Sequence, residues 1–250
     1  RWLSPPVTLP EHEFSGMKIV GELISHLPEN SVLHLGNSSA VRYAQLFPLP
    51  AGVQKVLCNR GVNGIEGSVS TAAGYAMADP ERLHFLIIGD LSIFYDLNGL
   101  LAAQQCDNLR ILLLNNNEGG IFSTLPGMPD CPHIRAPHGE SIMAWGGSNL
   151  RSRQVTDAAD CPAAMALLLD PEPGAVIVEV CTKTEQDAAM LKLHVVFAVD
   201  RAGLVGDDGE THHGIYDVGF LKQVPGMTVL CPVSLNEQME MLTWAVKEFN

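Results

Sequence analysis

The chain is short of cations: 15 lysines and arginines stand against 28 aspartates and glutamates, a net charge of −13 over 250 residues. That balance repels nucleic acid and anionic lipid, so an anionic ligand has to be met by a few well-placed arginines or by a metal ion. No apolar run approaches the length needed to cross a bilayer, and no membrane partner is expected. The opening RWLSPPVTLPEHEF lacks the charged-then-apolar order of a signal peptide, which predicts a cytoplasmic protein. It also lacks a starting Met, so the chain is read as a piece of something longer. No two of the six cysteines, Cys58, Cys106, Cys131, Cys161, Cys181 and Cys231, form a CxxC pair. Several end or follow apolar runs, which suits reduced thiols and predicts neither disulfides nor zinc. Long repeats are missing too. What is present, 46% hydrophobic residues, can bury a full core in one large or two small domains.

Apolar β-type runs alternate regularly with helical patterns. Strands are predicted at SVLHLG (31–36), VQKVLC (53–58), LHFLIIG (83–89), RILLLN (110–115), AVIVEVC (175–181), HVVFAVD (194–200) and MTVLCP (227–232). Most are continuously apolar, as expected of strands covered by helices on both faces. Helices are predicted near 16–27, 39–46, 66–78, 93–105, 139–146, 158–169 and 185–192. The pattern predicts an α/β fold with a mostly parallel sheet, whose ligands bind at the carboxyl ends of the strands. The loop 115–138 is the longest aperiodic stretch.

That loop opens with NNNEGG (115–120) directly after an apolar strand, far more polarity than a turn needs. The preceding predicted strand ends comparably, in IIGDLS (87–92). Gly89 would permit a tight turn, Asp90 stands where the strand stops, and Ser92 falls near the first turn of a helix starting after Leu91. If the two strands are neighbours, Asp90 and Asn117 converge, and Gly119 and Gly120 leave a backbone carbonyl close to a ligand. These are hard oxygen ligands suited to Mg²⁺ or Ca²⁺, which commonly keeps part of its coordination for phosphate. The helix amides face the same anion.

The 27-residue step from Asp90 to Asn117 resembles the signature of the thiamine diphosphate enzymes, a GDG-like turn followed by an NN pair. Leu91 in place of the third residue, Gly, narrows the resemblance. GNSSAVR (36–42), NRGVNGIEGSVSTAAGYA (59–76), GDLSIFYDLNGL (89–100), NNNEGGIFSTLP (115–126), APHGESIMAWG (136–146) and VIVEVCTKTEQDAAMLK resemble the menaquinone-pathway family 2-succinyl-5-enolpyruvyl-6-hydroxy-3-cyclohexene-1-carboxylate synthase. The likeness extends over about residues 1–193 and implies a thiamine diphosphate-binding domain there. It further implies that Asp90, Asn117 and the Gly119 carbonyl hold Mg²⁺. Gly89, Leu91, Ser92 and neighbouring amides would take the diphosphate. Ile65 would bend the cofactor, with Gly120, Ile121 and Phe122 around it. Asn37, Ser38, Arg42 and Arg60 would face the substrates 2-oxoglutarate and isochorismate. The implied reaction decarboxylates 2-oxoglutarate and adds the succinyl-semialdehyde carbanion to isochorismate, and the implied assembly is a homodimer.

Plainer readings stand beside these. Arg42 and Arg60 could be surface salt bridges, Ile65 and Phe122 core residues, and Asn37 and Ser38 helix N-caps. GNSSA after a strand also resembles a hydrolase nucleophile elbow, although the fifth residue is Ala40 and no Asp…His order follows. From about residue 194 the resemblance changes. VVFAVDRAGLVGDDGETHHGIYDVGFLKQVPGMTVLCPVSLNEQMEML resembles the middle domain of 1-deoxy-D-xylulose-5-phosphate synthase, an incomplete transketolase-like pyrimidine domain over 194–250. On that pattern Arg201, Asp208 and His212 would contact substrate. In both families a glutamate of the pyrimidine-binding domain activates the cofactor, and neither segment includes that region. The chain alone is therefore expected to be nearly inert, or to be a non-catalytic Mg²⁺–thiamine diphosphate-binding chimaera.

Overall fold

A computed structural model describes residues 14–61, 64–123, 131–145, 150–184, 186–187 and 229–248. The chain divides into two units, Arg1–Thr124 with Asp130–Met190, and Leu125–Pro129 with Leu191–Asn250.

The first unit carries a sheet of β1 (Val32–Leu35), β2 (Lys55–Cys58), β3 (His84–Gly89), β4 (Leu109–Asn115), β5 (Arg151–Val155) and β6 (Val176–Cys181). All pairings are parallel, in the order β2-β1-β3-β4-β6-β5. The inner strands are buried on both faces because helices cover both, which is why they read as unbroken apolar runs. One face is covered by α1 (Gly16–Ser25), α2 (Ser39–Ala44) and α6 (Cys161–Leu169), the other by α3 (Ser68–Ala78), α4 (Asp90–Tyr95) and α5 (Gly99–Ala103). The face changes where the chain reverses direction across the sheet, as a single handedness of crossover requires. The first reversal puts β1 beside β3, which makes a switch point of the kind where open α/β sheets bind ligands.

Two carboxylates tie helices into this frame. Asp96, at the end of α4, accepts from the Ser70 amide (2.7 Å) and hydroxyl (2.6 Å), capping α3 from outside. Asp187 accepts the Met17 amide at the start of α1 (2.8 Å). On the underside, the fully buried guanidinium of Arg110 donates to the carbonyls of Asp107, Leu109, Asp170, Glu172 and Gly174, locking the loop before β6.

Five of the predicted strands are present as β1–β4 and β6. The stretch 194–200 lies outside the described residues, and 229–232, the described part of the seventh, is not a strand. β5 escaped prediction because RSRQV is polar: it lies at the sheet edge with alternate residues exposed. The helix expected at 93–105 is two helices that begin earlier, at Asp90, and break at Asp96–Asn98, where Asp96 leaves to cap α3. Of the helix expected at 139–146, the described residues 139–145 form only the 3₁₀ turn Ile142–Ala144. In the second unit, Leu235–Glu248 is a helix.

Candidate functional site

β3 and β4 are adjacent and in register to their ends, Gly89 opposite Leu114, so their polar tips meet. Asp90 starts α4 and is buried, at 3% exposure. Its Oδ1 accepts the Leu91 amide (2.7 Å), its Oδ2 lies 3.1 Å from His138 Nε2, and the Asn117 amide, which bonds Asn115 Oδ1, also faces the carboxylate. Burial holds its carboxyl above the usual range, opposed by those three donors.

Each asparagine has a separate task. Asn115, at the tip of β4, donates to Glu179 (2.8 Å) and to the Glu140 carbonyl (3.0 Å), and accepts the Asn117 amide (2.9 Å). The Asn116 amide, oriented so that donors meet acceptors, gives Asp90 Oδ2 a donor at 3.2 Å and the Glu118 carbonyl another at 2.8 Å. Thr184 Oγ1 lies 2.9 Å from the same amide and 2.7 Å from Glu118 Oε1. Asn117 adopts a left-handed φ of 65°, which asparagine tolerates better than other side chains, and its Oδ1 accepts the Gly139 amide. Gly120 has to be glycine because a Cβ would stand 2.2 Å from the Asn116 amide.

The turn 136–140 was not singled out from sequence as part of the site, and it supplies the residue missed there, His138. Its Nδ1 accepts the Glu140 amide (2.9 Å), so the proton sits on Nε2, which donates to Asp90. Its ring packs edge-on against Phe94, with centroids 4.9 Å apart. Below it Glu179, fully buried in β6, accepts from Ser141 Oγ, the Ile142 amide (3.1 Å) and Gln154 (2.9 Å). The only sequence signals were a glutamate inside an apolar strand and a PHG turn. Neither has a spacing that points to Asp90, 48 residues away in sequence.

At the tip of β1, Asn37 is buried and donates to the Asn59 (3.1 Å) and Gly64 carbonyls, while its oxygen accepts from Arg60 (3.2 Å). It ties the loop carrying Ile65 to the β1 tip and is not a helix cap. Ser38 holds a left-handed φ of 72°, a strained backbone of a kind that gathers at functional sites. Among the described residues no histidine or acid bonds its hydroxyl, so the hydrolase reading lacks a base. Arg42 and Arg60 are exposed, and among the described residues neither pairs with a carboxylate. Ser92 is buried in α4, Leu91, Ile65 and Ile121 are half-buried, and Gly119 donates its amide to the Arg135 carbonyl (2.6 Å). Phe122 lies in the short helix Gly120–Ser123, its side chain outside the described residues, as are Arg201, Asp208 and His212.

Two expectations need correction. Gly89 makes no tight turn: its φ of −87° is open to any residue, and a Cβ there would meet nothing within 4 Å. The turn is avoided because the helix begins at Asp90 itself and not after Leu91.

The donor set contains one carboxylate and neutral oxygens. Among the described residues no three histidines, cysteines or acids group to hold a metal. Asp90 and the Asn117 amide oxygen are nonetheless hard oxygens of the kind a divalent cation takes, since among the described residues no Lys or Arg pairs with the buried carboxylate and phosphate oxygens can complete such a shell.

A parallel sheet covered by helices on both faces fits the α/β fold of thiamine diphosphate enzymes. The solved structure of benzoylformate decarboxylase from Polynucleobacter necessarius shares it, with a TM-score of 0.61 at 20% identity over 72% of this chain and 36% of that one. More particularly, the chain is similar to curated proteins named 2-succinyl-5-enolpyruvyl-6-hydroxy-3-cyclohexene-1-carboxylate synthase. It is 48% identical over 190 residues to that of Bacteroides fragilis (73% of this chain, 34% of the relative). Identity is 45% over 193 residues for Phocaeicola vulgatus (74% and 34%) and 35% over 189 residues for Flavobacterium johnsoniae (72% and 33%). The chain thus spans about a third of the length of these relatives. A second family, the transketolase pyrimidine-binding domain, matches residues 183–250, starting before the boundary expected at 194. No helix among the described residues is long and apolar enough to cross a membrane.

Proposed function

We propose that residues 1–193 are the cation- and diphosphate-holding part of a thiamine diphosphate-dependent carboligase that takes 2-oxoglutarate and isochorismate, as a step of menaquinone biosynthesis. What supports this reading is that Asp90 and Asn117 follow adjoining strand ends and are bonded by consecutive residues of one turn, His138 and Gly139. In it, Mg²⁺ is held by Asp90, Asn117 Oδ1 and the Gly119 carbonyl, and the diphosphate by Ser92 and neighbouring amides at the start of α4. Ile65, Ile121 and Phe122 shape the cofactor's surroundings. Thiamine diphosphate supplies acyl-carbanion chemistry when bound. The chain's own residues hold and orient: the exposed Arg42 and Arg60 offer guanidinium forks to carboxylates, with Asn37, which Arg60 bonds (3.2 Å), and the strained Ser38 on the same β1 tip. We further propose a homodimer working in the cytoplasm, without nucleic-acid or membrane partners.

Activity by the chain alone needs an activating glutamate that none of the residues assigned above supplies. Carbon dioxide release from 2-oxoglutarate, with thiamine diphosphate and Mg²⁺ added, should therefore be small. Release no greater than that of Asp90→Ala would reduce the chain to a binding module. The same control should lose cofactor binding in calorimetry, and unchanged binding would sink the site. The pyrimidine-domain match favours a second reading, in which residues 194–250 derive from a protein related to 1-deoxy-D-xylulose-5-phosphate synthase and Arg201, Asp208 and His212 contact its substrate.

A further inference from the structure

The oxygens assigned to the cation are already in use. His138 Nε2 donates to Asp90 Oδ2 (3.1 Å), and the next residue, Gly139, donates its amide to Asn117 Oδ1. The Leu91 amide and the Asn116 side chain take two further positions on the Asp90 carboxylate, whose two oxygens offer about four lone-pair positions. A divalent cation needs its oxygens at about 2.0 to 2.6 Å, and a lone pair committed to an N–H cannot also bind the ion. Both intruding donors sit on consecutive residues of one turn. The turn is flanked by left-handed backbone at Ala136 (φ 49°) and Gly139 (φ 70°). On its far side it is anchored through Glu140 O to Asn115 and through Ser141 and Ile142 to Glu179.

We infer that the turn Ala136–Glu140 is a built-in competitor of the cation: it donates to both side-chain ligands, Asp90 and Asn117, and has to swing off them, as one piece, for the ion to bind. The inference rests on the cation site proposed above. It differs from an outer-shell role, in which His138 would stay on Asp90 and strengthen its grip on the ion. The two roles predict opposite signs. A hydrogen bond to a charged group is worth roughly tenfold or more in an equilibrium constant, so removing the His138 donor should tighten ion binding by about that factor.

The test is Mn²⁺ binding to the 250-residue chain, read by the loss of the free-ion paramagnetic resonance signal, with hydrogen exchange followed across 136–145. His138→Phe keeps a ring against Phe94 and removes the donor, and His138→Gln keeps a donor. The expected result is about tenfold tighter binding by the Phe variant, near-native affinity in the Gln variant, and faster exchange of 136–140 in the native chain when Mn²⁺ is added. Weaker or equal binding by His138→Phe, or slower exchange on adding Mn²⁺, would overturn the competitor role while leaving the cation site standing. Binding by neither the native chain nor the Phe variant would overturn the cation site itself, and this inference with it.

Discussion

His34 offers the sharpest test of how buried polar groups set the stability of this sheet. It lies in β1 at 4% exposure, its Nε2 3.1 Å from His84 Nδ1 in β3, with Tyr75 of α3 edge-on to its ring at 5.5 Å. Burial, aided by the neighbouring His84, lowers its pKa from 6.5 to about 4. Above pH 6.5 the ring is neutral folded or unfolded, and its contribution is intact. As pH falls from 6.5 to 4 the unfolded chain takes up a proton that the folded chain refuses, and stability is lost. At about 1.4 kcal/mol per pH unit, the loss reaches about 3 kcal/mol. Replacing the ring by His34→Gln keeps a polar partner for His84 and removes the titration. Urea unfolding of both chains at pH 7 and pH 4.5 should show the variant less stable at pH 7 and recovering about 2.5 kcal/mol relative to the native chain at pH 4.5. His84 is present in both, so the difference isolates His34 and its coupling. A gap that stays constant within about 1 kcal/mol would refute the claim that the ring is held neutral.

Asp187 should act in the opposite direction. Burial raises its pKa from 3.8 to about 6, against the Met17 and Gly16 amides and Tyr43, so stability falls as pH rises from 3.8 to 6. Asp187→Asn should gain about 2 to 3 kcal/mol relative to the native chain between pH 4 and pH 7 in the same unfolding series, and no gain would refute the assignment. Arg110→Met strands five carbonyls in the underside loop and should cost about 3 kcal/mol or more by thermal unfolding. Arg110→Lys should recover little, because an ammonium cannot span the same fork, and full recovery would contradict that geometry.

The fold was legible because its inner strands obey one rule: burial on both faces leaves an unbroken apolar run, as in HFLIIG and LRILLLN. β5 breaks the rule at the sheet edge, where Arg151 and Arg153 project toward Asp170 and Asp160 (2.6 and 2.9 Å). The site was legible where ligand and strand end coincide in sequence, as with Asp90 and Asn117. It was illegible where partners come from distant segments. His138, Glu179 and Thr184 reach the strand tips from 48, 64 and 68 residues away, and no local period records such a meeting. Gly89 was misread for a related reason: a glycine at a strand end suggests a turn, whereas here it leaves open space before the tip.

The three asparagines follow from the charge problem set by the whole chain. With a net charge of −13, further carboxylates at the strand tips would each be buried beside Asp90, raise one another's pKa and repel the diphosphate of the proposed cofactor. An amide offers an oxygen of the same reach without the charge, and its NH₂ can satisfy a neighbour at the same time. Asn115 uses both ends, on Glu179 and on the Asn117 amide. Asn116 does so between Asp90 and Thr184, and Asn117 adds a tolerance for left-handed backbone that no carboxylate-free aliphatic residue would share. A single carboxylate in the proposed donor set, with amides around it, is therefore the least costly arrangement that still presents hard oxygens to a cation. Replacing Asn117 by Asp would keep the oxygens and break that economy of charge.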